Sequence, residues 1–466
     1  MYNNIRSCIF VNNEKSNFFG CYTGVRQGES LSPLLFSLYI NDMEQYFVDS
    51  GSNFLKHKQF APKALKLLVL LYADDTAIMA DNPVSFQKSL TSLAAYCKKW
   101  KLTVNISKTK VVIFGKRKYT GKNSFYFEKQ KLEIIDEFKY LGVIFNYNGS
   151  FVKHKKHVHD QALKAMYALL RKSRVLQLPL DIQIDLFQKL VVPILLYACE
   201  LYGYENIQII ERLQLKYLKY ILGLKPSTPN VMVYGETGCF PLAITIKCRI
   251  ISYWASILSN KPEKLSFQIY NVIFKTFQDN TFVSPWLKFV KNTLDNCGLS
   301  NIWLSQSFLS VKNLTENVRQ VLKDQYRQEW ASTIENSSKS VTYKCFKKDL
   351  KFESYLLELP HVYKRILIKF RTSNHKLPIE NGRFSKLSRH LRVCENCDTN
   401  TLGDEFHFLL ECPALNDLRK KYIPKFYWQR PNMICLQQLM SLNNQQKQIN
   451  LLKFIKEGFE TFHLYI

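Results

Sequence analysis

The chain has 466 residues, 46% hydrophobic and 22% charged, a balance that excludes a disordered polypeptide and leaves room for roughly two to four domains. Its 65 Lys and Arg against 38 Asp and Glu give a formal charge of +27, which favours polyanionic partners, because each neutralised phosphate releases condensed counterions; solvated lysine faces are the bland alternative. The 12 Cys are mostly scattered singly, Met1 to Arg6 is polar, and the apolar runs Leu67–Leu71 and Leu190–Ala198 are short or interrupted, so a secreted disulfide scaffold, a signal peptide and a membrane span are not expected. The sequence reads as an intracellular, reduced protein without a membrane partner.

In chain order, Ile5–Val11 and Asn17–Tyr22 read as a strand pair around a polar turn. Pro33–Phe47 reads as a helix, with Leu34, Leu35, Leu38, Tyr39 and Met43 on one stripe. Leu65–Ala80 reads as a hairpin of buried apolar strands, and Val84–Trp100 as an amphipathic helix. Val111–Phe114 and Phe138–Phe145 follow as strands, with a turn at Asn146–Ser150. Beyond residue 150 the pattern is helical: His154–Val175, Leu180–Tyr204 with Pro193 as a kink, and Ile207–Leu222 stopped by Gly223. Residues 236–345 are mostly helical and show no recognisable chemistry, and 346–466 hold a Cys/His cluster between helices.

The strongest signal is the pair Asp74-Asp75 at the tip of the apolar hairpin. Asp in a turn is ordinary, but adjacent carboxylates held by flanking strands suit nucleotidyl transfer. Two Mg²⁺ ions about 3.5–4 Å apart serve the attacking hydroxyl and the leaving pyrophosphate in that chemistry, and Mg²⁺ takes carboxylate oxygens.

Here the chain resembles the reverse transcriptases of LINE-type, non-LTR retrotransposons. Tyr72-Ala73-Asp74-Asp75 matches that family's Tyr-Ala-Asp-Asp motif. Upstream, Thr23-Gly24-Val25-Arg26-Gln27-Gly28-Glu29-Ser30 resembles its Arg-Gln-Gly block, although Ser30 stands where Pro is usual. Downstream, Asn105, Lys108, Thr109 and Lys110 resemble its Asn-x-x-Lys-Thr-Lys block, and Phe138–Val143 the strand pair called the primer grip. Four blocks in order within one segment are far more specific than any one of them.

The resemblance implies an α+β fold: a partial palm of antiparallel sheet with helices at 1–150, a helical thumb at 151–235, a helical connector at 236–345 and a C-terminal zinc-binding region at 346–466. It implies an RNA-directed DNA polymerase working on an RNA template, a DNA primer or target and deoxynucleotides, located in the nucleus. Asp74 becomes the principal ligand for Mg²⁺ or Mn²⁺ and Asp75 a weaker participant. Arg26, Gln27, Gly28 and Tyr72 face the nucleotide or template, with Gly28 letting the backbone approach closely. Tyr140, Leu141 and Gly142 form the primer grip. Lys108 protonates pyrophosphate or pairs with phosphate, a solvated surface lysine being the alternative; for Tyr72 core packing is the alternative.

The second constellation is Cys394-x-x-Cys397, then His407, then Cys412. Two thiolates from one turn, closed by an imidazole and a third thiolate, suit tetrahedral Zn²⁺. The alternative is unrelated Cys around a core His. LINE-type proteins often end in such an element, and Lys386, Arg389, His390 and Arg392 beside it suggest a grip on RNA or DNA; a purely structural staple is the competing reading.

One expected part is missing. The family's Asp-x-x-x-Ala-Phe-Asp segment should precede the Arg-Gln-Gly block, and nothing in residues 1–23 matches it. The sequence thus reads as truncated at its N-terminal side, either as a shortened copy or as an incomplete gene model. Two functions stay open: a polymerase segment, inactive alone, or a catalytically dead remnant that binds nucleic acid.

Overall fold

The computed structural model describes residues 5–21, 24–25, 28–50 and 69–464. The chain divides into two compact units, Met1–Phe151 with Lys261–Phe282, and Val152–Asn260 with Val283–Ile466.

The first unit mixes helices with two-stranded ladders. Ile5–Ser7 pairs antiparallel with Phe19–Cys21, as the sequence suggests; Tyr22 lies outside the described residues. Val69–Tyr72 pairs with Asp75–Ile78, so the expected hairpin forms, its residues 65–68 lying outside the described set. Glu137–Tyr140 pairs with Val143–Asn146, so Phe138–Phe145 is a hairpin and not one strand. The turn residues Leu141 and Gly142 both have positive φ, 46° and 81°, the twist that two-residue hairpin loops favour. One ladder is parallel, Lys110–Val111 with Glu133–Ile134.

The Pro83–Lys99 helix is the unit's spine. Asn82 caps it by accepting from the Ser85 amide at 2.8 Å, Pro83 suits its first turn, and Lys98 and Lys99 sit at its negative end. Its face of Leu90, Leu93, Tyr96 and Cys97 packs on Ile40, Met43, Phe47, Val111 and Phe127. Each such burial contributes about 1.5–3 kcal/mol.

The expected Pro33–Phe47 helix is two helices, Ser32–Tyr39 and Met43–Asp49. The break has a tertiary cause. At the break the Tyr96 hydroxyl donates to Asp42 at 2.5 Å; the buried face is Ile40, Met43 and Phe47, while Leu34, Leu38 and Tyr39 of the expected stripe are exposed.

The second unit is helical. Val152–Val175 and Gln208–Leu222 lie close to their expected limits, the latter ended by Gly223 in left-handed conformation. Leu180–Tyr204 is not one helix. It runs as Leu180–Leu186, a π-turn at Phe187–Val191, a short helix at Val192–Leu195 and another at Cys199–Tyr202. Pro193 lacks an amide to donate, and the extra residue of the π-turn absorbs the mismatch. Among the described residues no single helix is long and apolar enough to cross a membrane.

A buried ionic network ties this unit together. Glu236, fully buried, accepts from Tyr355 at 2.6 Å and from both Nε and Nη2 of Arg371 at 3.1–3.2 Å. Arg371 also reaches Glu353 at 3.1 Å and the Met440 carbonyl at 3.2 Å. Gly235 next door leaves room for Tyr343: a Cβ there would stand 2.5 Å from its hydroxyl. Removing one partner from a buried pair strands the other charge. Arg371→Met is therefore expected to cost about 3–5 kcal/mol in urea unfolding, and Glu236→Gln in the same chain to recover part of it. A single variant as stable as the parent would show that the network contributes little.

Candidate active site and metal centre

Asp74 lies in the two-residue turn of the Val69–Tyr72 and Asp75–Ile78 hairpin, and Asp75 opens the returning strand opposite Tyr72. Ala73 takes φ 51°, a left-handed turn position. Val69 and Ile78 anchor the hairpin base against the first unit's core. The tip differs from the expected buried strands: Leu71 is 38% and Tyr72 64% exposed, so core packing does not explain Tyr72. Exposure suits carboxylates that must meet ions and a large substrate.

The second hairpin comes within electrostatic reach of this tip. The Tyr140 hydroxyl is raised above the usual tyrosine range, first by burial and then by the Asp75 carboxylate. Leu141 and Gly142 form the turn beyond Tyr140. Lys108 is exposed, and its backbone amide bonds the Asn105 side chain at 3.2 Å; no ion pair to a described residue holds its ammonium. Lys110 pairs with Glu133 at 2.6 Å. Gly28 has φ 90° with nothing within 4 Å of a built Cβ, while Arg26 and Gln27 lie outside the described residues.

No third His, Cys, Asp or Glu joins Asp74 and Asp75 in a metal-sized group among the described residues. Those residues hold every Asp and Glu of the chain, because residues 1–4, 22–23, 26–27, 51–68 and 465–466 contain neither.

The C-terminal cluster is brought together. One donor atom from each of Cys394, Cys397, His407 and Cys412 lies within 4.8 Å of the others. Cys394 and Cys412 sulfurs are 4.0 Å apart, and the Cys397 sulfur is 3.3 Å from His407 Nε2. Tetrahedral Zn²⁺ with bonds of about 2.3 Å needs sulfurs roughly 3.8 Å apart, so this donor set fits the ion. Local structure explains the convergence. The Cys394 amide donates to Thr401 at 2.9 Å, closing the loop that carries Cys397. A π-turn at His407–Glu411 lets the Cys412 amide reach the His407 carbonyl at 2.8 Å. Arg419, buried, then bonds the carbonyls of Leu409 and Cys412, both at 2.9 Å.

Around it, Thr401 bonds His407 Nδ1 at 2.9 Å, and Asp404 caps the His407 amide at 3.0 Å. Such partners orient a metal-binding imidazole and leave Nε2 for the ion. Burial works to raise the Cys397 thiol, but hydrogen bonds from Thr399, His407 and Cys394 prevail and hold it at about 6. Burial pushes Cys412 up to about 12. Of the neighbouring basic residues, Lys386, Arg389 and His390 are exposed. Arg392 is occupied internally, bonding Leu387 and Ile379 carbonyls at 2.6–3.2 Å, and is not free to grip a ligand.

Sequence reasoning missed Glu236 as a charged hub, Arg371 as its partner and Arg419 as the brace of the Cys412 turn. Nothing in Tyr234-Gly235-Glu236-Thr237-Gly238 announces a partner 135 residues away.

Comparison with known proteins agrees with these features. Residues 2–145 match the family described as reverse transcriptase (RNA-dependent DNA polymerase). The chain is 26% identical over 224 residues to a probable RNA-directed DNA polymerase from transposon X-element of Drosophila melanogaster, covering 46% of this chain and 23% of that protein. It is 27% identical over 214 residues to the RNA-directed DNA polymerase from mobile element jockey of Drosophila funebris, covering 43% and 22%. The Pol polyprotein of the type-1 retrotransposable element R2 of Popillia japonica is 27% identical over 148 residues, covering 30% and 24%. The matched region thus spans about a quarter of these relatives' length. The chain carries a reverse-transcriptase domain of the non-LTR retrotransposon kind.

Proposed function

We propose that residues 1–150 form part of the palm of an RNA-directed DNA polymerase, followed by a thumb at 151–235, a connector at 236–345 and a nucleic-acid-binding zinc element at 346–466. The observation that carries this reading is Tyr72-Ala73-Asp74-Asp75 at an exposed hairpin tip inside the reverse-transcriptase match, with Tyr140 in reach of Asp75. On this reading Asp74 is the main ligand for Mg²⁺ or Mn²⁺ and Asp75 assists. Such ions, when bound, activate a primer hydroxyl and stabilise departing pyrophosphate. The chain's own residues position the reactants. Gly28, beside Arg26 and Gln27, admits the nucleotide, Tyr72 offers an aromatic face, and Tyr140, Leu141 and Gly142 hold the primer. Lys108, without an ion-pair partner among the described residues, meets phosphate. Cys394, Cys397, His407 and Cys412 would hold Zn²⁺, which supplies a structural cross-link.

A second reading, a remnant that binds nucleic acid without catalysis, is favoured by the lack of a third carboxylate beside Asp74 and Asp75. Both readings expect Asp74 to bind a divalent ion. In an electron paramagnetic resonance titration, Mn²⁺ is expected to bind weakly at the hairpin. Asp74→Ala should abolish that binding, and Asp75→Asn should weaken it less. Identical Mn²⁺ uptake by Asp74→Ala and the parent chain would remove Asp74 from the site.

A further inference from the structure

Three cations converge in the second unit without a counter-charge. Lys225 is exposed in the turn after the Gln208–Leu222 helix. Arg365 and Lys369 stand one turn apart on the His361–Arg371 helix, about 6 Å along its axis. Arg365 lies over Gly223, where a built Cβ would stand 3.1 Å from its Nε. That bare turn lets the guanidinium approach the loop carrying Lys225. None of the three side chains makes an ion pair or hydrogen bond with a described residue. Lys369 registers the crowding: burial first, then Arg365 and Lys225, lower its ammonium below the usual lysine range.

Some lysines of the unit are paired, as Lys344 with Glu335 at 2.7 Å and Lys291 with Asp295 at 3.0 Å. Lys364, on the same helix, donates to the Leu356 carbonyl at 2.8 Å. Arg365 and Lys369 line a groove of about 400 Å³ whose solvent-facing apolar floor is made by exposed Val362 and half-buried Leu464; Lys225 stands beside Lys369 on the neighbouring turn. Its carboxylate, Glu460, already faces Lys456 at 4.0 Å. Like charges gathered at one rim repel, and the fold draws no pairing from them. A polyanion seated there would supply the missing charge.

We propose that this groove is a binding site for the phosphate backbone of single-stranded RNA, with Arg365, Lys369 and Lys225 on consecutive phosphates. The inference rests on the reading of the chain as nucleic-acid-binding and adds a site that neither the Asp hairpin nor the Cys cluster provides. The cations face phosphates while Val362 and Leu464 offer an apolar surface to base faces, which a single strand can present and a duplex keeps stacked. An acidic peptide would satisfy the charge but leave the floor without a role.

The test is fluorescence anisotropy of a labelled oligouridylate with the full chain across a salt series. Arg365→Gln with Lys369→Gln is expected to weaken binding roughly tenfold at ~0.15 M salt, and to flatten the log–log salt slope by about 1.4, at about 0.7 per phosphate contact on a single strand. Lys225→Gln, on a separate segment, should cost about fourfold by the same rule. All three side chains are at or near the surface, so melting curves should match the parent's. Unchanged RNA affinity and slope in a normally folded double variant would overturn the groove while leaving the wider nucleic-acid reading intact. A parent chain that fails to bind RNA would sink both. Loss of poly-L-glutamate binding with RNA binding unchanged would overturn the proposal in favour of an acidic protein partner.

Discussion

Purified residues 1–466, given a primed RNA template, deoxynucleotides and Mg²⁺ or Mn²⁺, are expected to leave the primer unextended. Two-metal transfer needs ions fixed on both sides of the reacting phosphorus, held by carboxylates from more than one structural element. Here Asp74 and Asp75 are neighbours in one turn, and no further carboxylate joins them although the described residues include every Asp and Glu of the chain. One turn can bind an ion weakly but cannot fix two at the spacing that in-line attack requires. The protein's contribution to phosphoryl transfer is almost entirely positioning and electrostatics, and positioning can account for about 7–11 kcal/mol of barrier. Its loss corresponds to roughly five orders of magnitude or more in rate. The assay carries Asp74→Ala as its control for contaminating polymerase. Extension that vanishes in Asp74→Ala would mean another carboxylate completes the site in solution, and the expectation would be wrong.

What the sequence disclosed, and what it hid, follows the range of the interactions concerned. The Pro83–Lys99 helix was readable because its cap, its apolar stripe and its terminal lysines all lie within it. The Asp hairpin was readable because two apolar runs and the turn between them sit in one short segment. The Ser32–Tyr39 and Met43–Asp49 break was not, because it depends on a Tyr96 hydroxyl 54 residues away. The π-turn at Phe187–Val191 was hidden for a related reason. Pro193 announces a disturbance, but not whether the chain kinks, breaks or inserts a residue. In the candidate site, spacing alone indicated that Cys394, Cys397, His407 and Cys412 could meet. It did not indicate that Arg392 was committed to backbone carbonyls, nor that Tyr72 would be solvent-facing. The Glu236–Arg371 network and the Arg365 groove join segments far apart in sequence, where composition carries no pairing information.

Removing zinc is expected to unfold the C-terminal part of the second unit. Elemental analysis of the purified chain should find about one zinc per chain, as four ligands imply, and Cys397→Ser should lose it. The magnitude follows from where the ligands sit. Cys394, His407 and Cys412 are buried, and His407 begins the turn that leads Phe408 into contact with Phe454, Phe459 and Phe462. Structural zinc contributes about 10–16 kcal/mol of apparent binding free energy in small zinc modules. Even a fraction of that is comparable with the whole stability of a domain, about 5–15 kcal/mol. Without the ion, the loop from Cys394 to Cys412 is left with hydrogen bonds around the ligand residues: those of Thr401, Asp404 and Arg419 side chains and the Cys394–Thr401 and Cys412–His407 backbone bonds. Each of these is worth about 0.5–1.5 kcal/mol, or up to about 3 where a charged group takes part. A strong chelator should therefore lower the thermal midpoint by many degrees and raise amide exchange across residues 394–462. The Pro83–Lys99 helix, in the other unit, should keep its protection. A chain that purifies without zinc yet melts cooperatively, with residues 394–412 protected from exchange, would show that the four side chains meet as a packed core cluster and not as a metal centre.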